Sequence, residues 1–211
     1  MHVHTRYSAD ALSSVKSAIK TAIRKGLDAI AITDHDTGRA WKEAKTLSKK
    51  LGFPVILGEE IRIVENGKTL GEILGYFLNS EIKPGNAMEI IDEIKSQGGI
   101  ASVSHPFDAF RNPIKTRDVL KRVQAVEVFN SRVIFDSHNR RALEFAMANK
   151  KTFTAGSDAH ISWEIGNAYT LDGSSDLEGF RESLIKGKTG FYGKRSGLLV
   201  HVISTLAKVR I

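Results

Sequence analysis

Short apolar runs alternate with segments of helical period along the whole chain, and this alternation is the strongest constraint on how it folds. Strands separated by helices describe repeated βα units, which build parallel sheets rather than sandwiches or helical bundles. Residues 11–25 set Leu12, Val15, Ile19, Ala22 and Ile23 on one helical stripe that stops at Gly26, and Leu27 to Ile32 then reads as a buried strand. A second helix is predicted over 38–51, ending at Gly52, followed by a strand at 55–57 that runs towards Glu60. Asn66-Gly67 is a strong tight-turn signal, so 61–78 reads as a β-hairpin. Pro84-Gly85-Asn86 introduces a helix with Met88, Ile91 and Ile94 inward, and Ile100 to Val103 forms the next strand. Further strands are predicted at 123–129, 152–155 and 168–171, with a helix at 136–149, and Ser175-x-x-Glu178 is a capping box opening a last helix. About seven strands in this order predict a closed or nearly closed parallel barrel.

Composition narrows the class. With 211 residues, 41% of them hydrophobic, the chain suits one well-buried core, and a single domain over 1–211 is expected. There is no cysteine, which removes disulfides, Cys-ligated zinc, iron–sulfur clusters and thiol nucleophiles, so any metal must be held by nitrogen and oxygen. No apolar run approaches the roughly 18 residues of a membrane span and no signal-like segment opens the chain, so a cytoplasmic protein without membrane association is expected. The formal charge of +7, from 31 Lys and Arg against 24 Asp and Glu, favours anionic substrates. Part of that charge solvates helix faces, as at Lys42, Lys45, Lys49 and Lys50.

Five of the seven histidines fall in four short polar clusters that also carry carboxylates or hydroxyls: His2-Val3-His4, Asp34-His35-Asp36, Ser104-His105-Pro106 and Ser157-Asp158-Ala159-His160. Imidazole with carboxylate is a ligand set for divalent metals. Three of the clusters, and Glu60 with them, come directly after a predicted strand, and in a βα barrel those strand ends converge at one mouth. His2 and His4 are one residue apart, so on an extended backbone both imidazoles point to the same side and can chelate one ion. His138 and His201, without neighbouring ligands, read as structural.

These residues resemble a known family. The segments His2-Val3-His4-Thr5, Ile32-Thr33-Asp34-His35-Asp36, Gly58-Glu59-Glu60-Ile61, Ser104-His105-Pro106 and Gly156-Ser157-Asp158-Ala159-His160 are similar, in this order, to the motif series of the polymerase and histidinol phosphatase (PHP) superfamily. The resemblance implies a distorted (β/α)7 TIM-like barrel and a small single-domain phosphoesterase with two or three divalent ions, Mn, Zn or Fe, with Mg or Co as alternatives. It implies a first ion held by His2, His4, Glu60 and Asp158, with Glu60 bridging to a second that also uses His105, and a third on Asp10, His35 and His160, a trinuclear centre. Relatives often carry a histidine before Ile-Leu-Gly-Tyr, where this chain has Glu72 before Ile73-Leu74-Gly75-Tyr76; Glu72 is carried over as a ligand of the second ion. Asp10 has a rival role as the cap of the first helix. Glu59 is expected to be a surface carboxylate or to support the ligands, and Asp34 and Asp36 to orient ligands by hydrogen bonds. Relatives also usually have several residues of strand before the His-x-His, whereas His2 follows Met1 directly, so the first strand is expected to be almost absent.

The implied reaction is attack of a metal-bridging hydroxide on a phosphomonoester or phosphodiester, needing no side-chain nucleophile. Arg6, beside the first cluster, and Arg132, after the fifth strand, are the candidates to grip the phosphate bidentately. The expected substrate is a phosphorylated small molecule or nucleotide, with nucleic acid entering as a substrate only. Two other readings compete: an amidohydrolase-like metal-dependent hydrolase, and a non-catalytic nucleic-acid-binding or scaffold barrel. The Asp-His-Asp cluster and the late Asp-x-His fit the first poorly, and retention of nearly all the ligands opposes the second.

Overall fold

Asn66 and Gly67 both have positive φ, 50° and 72°, the backbone that a tight hairpin needs to follow the right-handed twist of its strands. The turn they make organises the sheet. In the computed structural model, which describes residues 1–114 and 117–209, it joins two long strands, β2 (Val55–Glu65) and β3 (Lys68–Tyr76). The expected strand at 55–57 and the first arm of the expected hairpin are therefore one continuous element with Glu60 in its middle. The reason is local: after Gly58, Ile61 and Ile63 continue the alternation without a break, and nothing stops the strand until the turn.

Around this hairpin, β1 (Ile30–Ile32), β2, β3, β4 (Ile100–Val103), β5 (Ala125–Asn130) and β6 (Thr152–Gly156) follow one another as neighbours in a curled six-stranded sheet. Pairing is parallel for β1 with β2, β4 with β5 and β5 with β6, and antiparallel on both sides of β3. The fold is a distorted TIM-like barrel in which β3 breaks the all-parallel pattern. The seventh expected strand, β7 (Ala168–Leu171), pairs instead with β8 (Gly190–Gly193) in a separate antiparallel ribbon. That ribbon leans on β6 through Thr170 Oγ1, which accepts from Ala155 N at 3.0 Å.

The N-terminal residues close the mouth of the curl. Thr33 N donates to Val3 O at 2.8 Å on one side and His4 N donates to Ala159 O at 2.9 Å on the other, so residues 2–4 bridge the ends of β1 and β6, the two edges of the sheet. Short as it is, this segment is fully buried at His2 and His4.

Helices cover the outside. α1 (Val15–Arg24) is capped by Ser14, α2 (Trp41–Leu51) ends on left-handed Gly52, and α3 (Ala87–Ser96) is capped by Asn86, whose side chain accepts from Met88 N at 2.8 Å. α5 spans Asp136–Ala148, and α6 (Leu177–Lys186) is capped by Asp176 rather than Ser175, its carboxylate accepting from Gly179 N at 2.8 Å. Two helices lie outside the sequence expectation: α4 (Arg117–Arg122), which is too short to show a period, and α7 (Leu199–Lys208). Strands β1 and β4 are buried along their whole length between the helices and the barrel interior. Ile90, Ile91 and Ile94 of α3 pack with Ile61, Ile73 and Val103 in the main apolar cluster. Among the described residues, no helix is long and apolar enough to cross a membrane.

Candidate metal centre

Parallel pairing brings the residues that follow β1, β4 and β6 to one end of the barrel. β1 continues past its last ladder residue: Asp36 N donates to Glu60 O at 3.0 Å and Glu60 N to Asp34 O at 3.2 Å, which sets His35 beside Glu60. Ser104 N donates to Glu72 O at 3.2 Å and places His105 next to Glu72, while the bridge between Val3 and Ala159 places the His2–His4 pair beside Asp158. All nine ligand candidates, His2, His4, Asp10, His35, Glu60, Glu72, His105, Asp158 and His160, meet in this one place.

Their spacing falls into three linked groups. His2 Nε2 and His4 Nε2 are 3.0 Å apart; Glu60 Oε2 lies 3.2 and 3.3 Å from them, and Asp158 Oδ1 lies 3.6 and 3.3 Å from them. Bonds of about 2.0–2.1 Å to a tetrahedral ion put ligand atoms roughly 3.3 Å from one another, so this foursome has the edge lengths of such a site. Glu60 Oε1 turns the other way, 3.3 Å from His105 Nε2, which is also 3.3 Å from Glu72 Oε2. Asp10 Oδ1 lies 3.3 Å from His160 Nε2 and 3.7 Å from His35 Nε2, and His35 Nδ1 faces Glu60 Oε2 at 3.2 Å. Asp10 is not the cap of α1, a role taken by Ser14. Its Oδ1 is buried without a hydrogen-bond partner, aimed at the space between the two imidazoles. Donor chemistry, spacing and this orphaned oxygen all fit divalent cations.

Protein groups around the pocket fix the ring orientations. Ser8 Oγ lies 3.2 Å from His4 Nδ1 and donates to Asp34 Oδ1 at 2.7 Å; Asp34 also accepts from Thr5 N and Thr5 Oγ1. Asp34 is thus linked to His4 through Ser8, whereas Asp36 binds Arg62. Three residues outside the sequence expectation matter most here. Glu127 places Oε1 2.9 Å from His2 Nδ1, and its Oε2 accepts from His105 N and Asn130 Nδ2, each at 2.9 Å. Asn130 Nδ2 also donates to Asp158 Oδ2 at 3.2 Å, and the Arg111 guanidinium pairs with the same oxygen and with Asp108. Glu127 had a legible signal, a carboxylate inside the apolar run Ala125-Val126-Glu127-Val128; Arg111 had none. Gly156 is required where it stands, because a Cβ there would come within 2.2 Å of His2 Cβ.

Mutual charge sets the protonation of the pocket. Burial disfavours the charged form of His4, yet hydrogen bonds with Asp158 and Glu60 raise its pKa to about 9. Burial and the Arg111 charge oppose protonation of His105, but Glu60 and Glu72 outweigh them and raise it to about 9. Against their own burial, Glu60 and Asp158 are held well below the usual carboxylate range, chiefly by the His2 charge. His160 goes the other way, down to about 4, through burial and the neighbouring His4 charge.

The two residues expected to grip a phosphate are engaged with other partners in the structure. Arg132 is buried, with Nε and Nη2 donating to Glu164 at 2.8 and 3.1 Å and Nη2 also donating to Val200 O and Ser204 Oγ, so it ties α7 to the barrel. Arg6 is exposed, paired with Glu43 at 3.1 Å and lying over the Tyr7 ring. Glu59 is not at the surface either: it is fully buried on the opposite side of β2 from Glu60 and accepts from Ile82 N at 3.0 Å. His138 is edge-on to Phe135 and tilted against Phe110, with its Nδ1 3.6 Å from Asp108 Oδ1, and is not among the converging ligand atoms. A roomy cavity of about 780 Å³ lies at the other end of the barrel, lined by Met1, Ala31, Ile56 and Phe180, and holds none of the histidines. The convergence of ligand atoms, not cavity size, locates the site.

Comparison with known proteins agrees with this geometry. A sequence model of the PHP domain matches residues 1–152, and one of the PHP-associated C-terminal region matches 136–189. An uncharacterized protein of Methanocaldococcus jannaschii is 37% identical over 142 residues, 62% of this chain and 80% of that protein. A two-domain Bacteroides vulgatus protein containing a predicted PHP-like metal-dependent phosphoesterase superposes with a TM-score of 0.76 at 22% identity, over 92% of this chain and 63% of its own. The lesion-specific endonuclease EndoQ of Pyrococcus furiosus superposes at 0.62 and 16% identity, over 88% of this chain and 55% of its own. These two likenesses are of fold. With the match running through well over half of its length, and with its histidines and carboxylates gathered at one end of the barrel, the chain belongs to the PHP domain family.

Proposed function

We propose that the chain is a divalent-metal-dependent phosphoesterase that cleaves a phosphomonoester or phosphodiester with two or three ions. The observation that carries this reading is the division of one carboxylate: Glu60 Oε2 faces His2, His4 and His35, and its Oε1 faces His105, all at 3.2 or 3.3 Å. A carboxylate so shared is suited to bridging ions that clamp the attacking and leaving oxygens of a displacement. The ion sites would be His2, His4, Glu60 and Asp158; Glu60, Glu72 and His105; and Asp10, His35 and His160. Bound there, divalent ions lower the pKa of water and offset the charge of the phosphoryl oxygens.

The chain's own residues do the positioning. Glu127, Ser8 and Asn130 hold His2, His4 and Asp158 in place before any ion or substrate arrives. His35 and Glu72, with side chains 28% and 17% exposed, form the open lip by which substrate enters, while the other imidazoles lie beneath. The phosphoester class is supported by the positive charge of the chain and by the predicted phosphoesterase and the endonuclease among its structural neighbours. We also propose that 1–211 is one domain, because His2 to His105 fall within the PHP match and Asp158 and His160 within the PHP-associated match, yet they build one pocket.

The test is a panel of phosphomonoesters, phosphodiesters and amides offered to metal-stripped protein restored with Mn, Zn, Fe, Co or Mg. Metal-dependent phosphoester cleavage is expected. Amide cleavage alone would establish an amidohydrolase-like enzyme, and tight metal binding without turnover would establish a scaffold.

A further inference from the structure

The last helix brings a cation to the edge of the candidate metal centre. Lys208, on the final turn of α7, places Nζ 3.1 Å from Asp10 Oδ2. The other oxygen of the same carboxylate, Oδ1, faces His160 Nε2 at 3.3 Å and His35 Nε2 at 3.7 Å. Asp10 therefore presents one oxygen to the imidazoles and the other to the ammonium. The helix that carries Lys208 is seated on the barrel: Val200, Ser204 and Ala207 are buried, and His201, Ser204 and Lys208 follow the i, i+3, i+7 spacing of one helix face. Two turns upstream on that face, about 10 Å away, His201 feels the charges of the mouth. Burial lowers its pKa, the positive charges of Arg132 and Arg111 lower it further, and Asp158 and Glu164 oppose them. α7 thus runs along the mouth to Asp10, and it lies C-terminal to both stretches matched by the PHP sequence models.

The cations near the pocket differ in how many donors they have left. Arg111 has Nε, Nη1 and Nη2 engaged by Asp108, Asp158 and Asn130, and Arg6 and Arg132 pair with Glu43 and Glu164. Among the described residues, Arg111 and Lys208 are the only Lys or Arg side chains within 4.0 Å of a carboxylate in the candidate ligand set. The Lys208 side chain is 60% exposed and that of Asp10 only 10%, so the ammonium stands at the boundary between pocket and solvent. An ammonium has three N–H donors on a rotatable stem, and one carboxylate oxygen engages only one of them.

We infer that Lys208 binds the phosphoryl group of the substrate at the metal centre. This rests on the phosphoesterase reading above and adds a residue that holds the substrate's anion. Asp10 Oδ2 keeps the ammonium in place before substrate arrives, and a phosphoryl oxygen entering beside Asp10 meets the donors that remain. A compact point charge of this kind suits an anion whose charge is spread over several oxygens.

The test is titration calorimetry of manganese-loaded protein with inorganic phosphate, alongside the KM for para-nitrophenyl phosphate. Lys208→Met keeps the apolar stem and removes the charge. It is expected to weaken phosphate binding roughly 10- to 100-fold and to raise KM by a similar factor, while the number of bound manganese ions and the Tm stay those of the wild type. Lys208→Arg restores the charge and is expected to retain binding, and Lys208→Gln serves as a second neutral variant should the first not fold. Unchanged phosphate affinity in a folded neutral variant would overturn the inference. Equal weakening in Lys208→Arg would also overturn it, as would loss of a manganese ion from the neutral variants, which would leave Lys208 only as a support for Asp10. A wild type that cleaves the ester but binds phosphate no better than Lys208→Met would overturn it while leaving the phosphoesterase reading intact. Failure on every phosphoester would sink that reading instead, and the calorimetry would still decide whether Lys208 holds phosphate.

Discussion

Glu127 Oε1 lies 2.9 Å from His2 Nδ1, although 125 residues separate the two in the chain. Both are buried, and the carboxylate fixes which imidazole nitrogen faces the pocket. Glu127→Gln keeps the shape but removes the charge, and loss of such a supporting carboxylate lowers metal affinity roughly 10- to 100-fold. Competition against a chromogenic chelator measures it; an unchanged affinity would remove Glu127 from the account.

Metal and protons compete for the same atoms. With pKa values raised to about 9, His4 and His105 are protonated at pH 7 in the metal-free protein and must lose those protons to bind an ion. Metal affinity should therefore rise with pH from 6 until it levels off near 9, and calorimetry in buffers of different ionisation enthalpy should show proton release at pH 7.

Glu59 tests the sign of a different linkage. Burial, with Glu81 and Asp36 nearby, raises its pKa to about 7, even though it accepts from Ile82 N. The folded protein thus binds a proton here that the unfolded chain releases at about pH 4.5, so this group's stabilising contribution, present below that pH, is lost as pH rises to about 7. Glu59→Gln should flatten this decline, giving a variant whose Tm at pH 8 gains relative to wild type more than it does at pH 4. Parallel Tm curves across that range would contradict the assignment.

Arg132 separates a structural from a substrate-binding role. Its ion pair with Glu164 is buried, and removing one partner of such a pair costs roughly 3–5 kcal/mol. Arg132→Ala should therefore lower the denaturant midpoint strongly and leave the KM of the remaining folded enzyme close to wild type. A large KM increase with normal stability would restore Arg132 to the phosphate.

Much of this was legible in the chain because the signals are local. The turn at Asn66-Gly67 and the helix stop at Gly52 depend on backbone freedom at single positions, and the ligand clusters are set by their place just after a strand. What could not be read depends on partners brought together by the fold. Nothing near Arg132 foretells Glu164, 32 residues on, and nothing in 168–171 says that this strand leaves the barrel to pair with 190–193. The capping box at 175–178 failed by one position because Asp176 offers an equally good acceptor. The first strand is almost absent, and backbone bonds to Thr33 and Ala159 on either side hold His2 and His4 in its place.

The central claim is one cation-binding pocket that unites residues as far apart in the chain as His2 and His160. Anomalous X-ray diffraction from crystals of manganese-loaded protein tests it most directly. The account predicts peaks within bonding distance of His2, His4, Glu60 and Asp158 and of Glu60 and His105; manganese bound only elsewhere, or an empty pocket in crystals saturated with the metal, would contradict it.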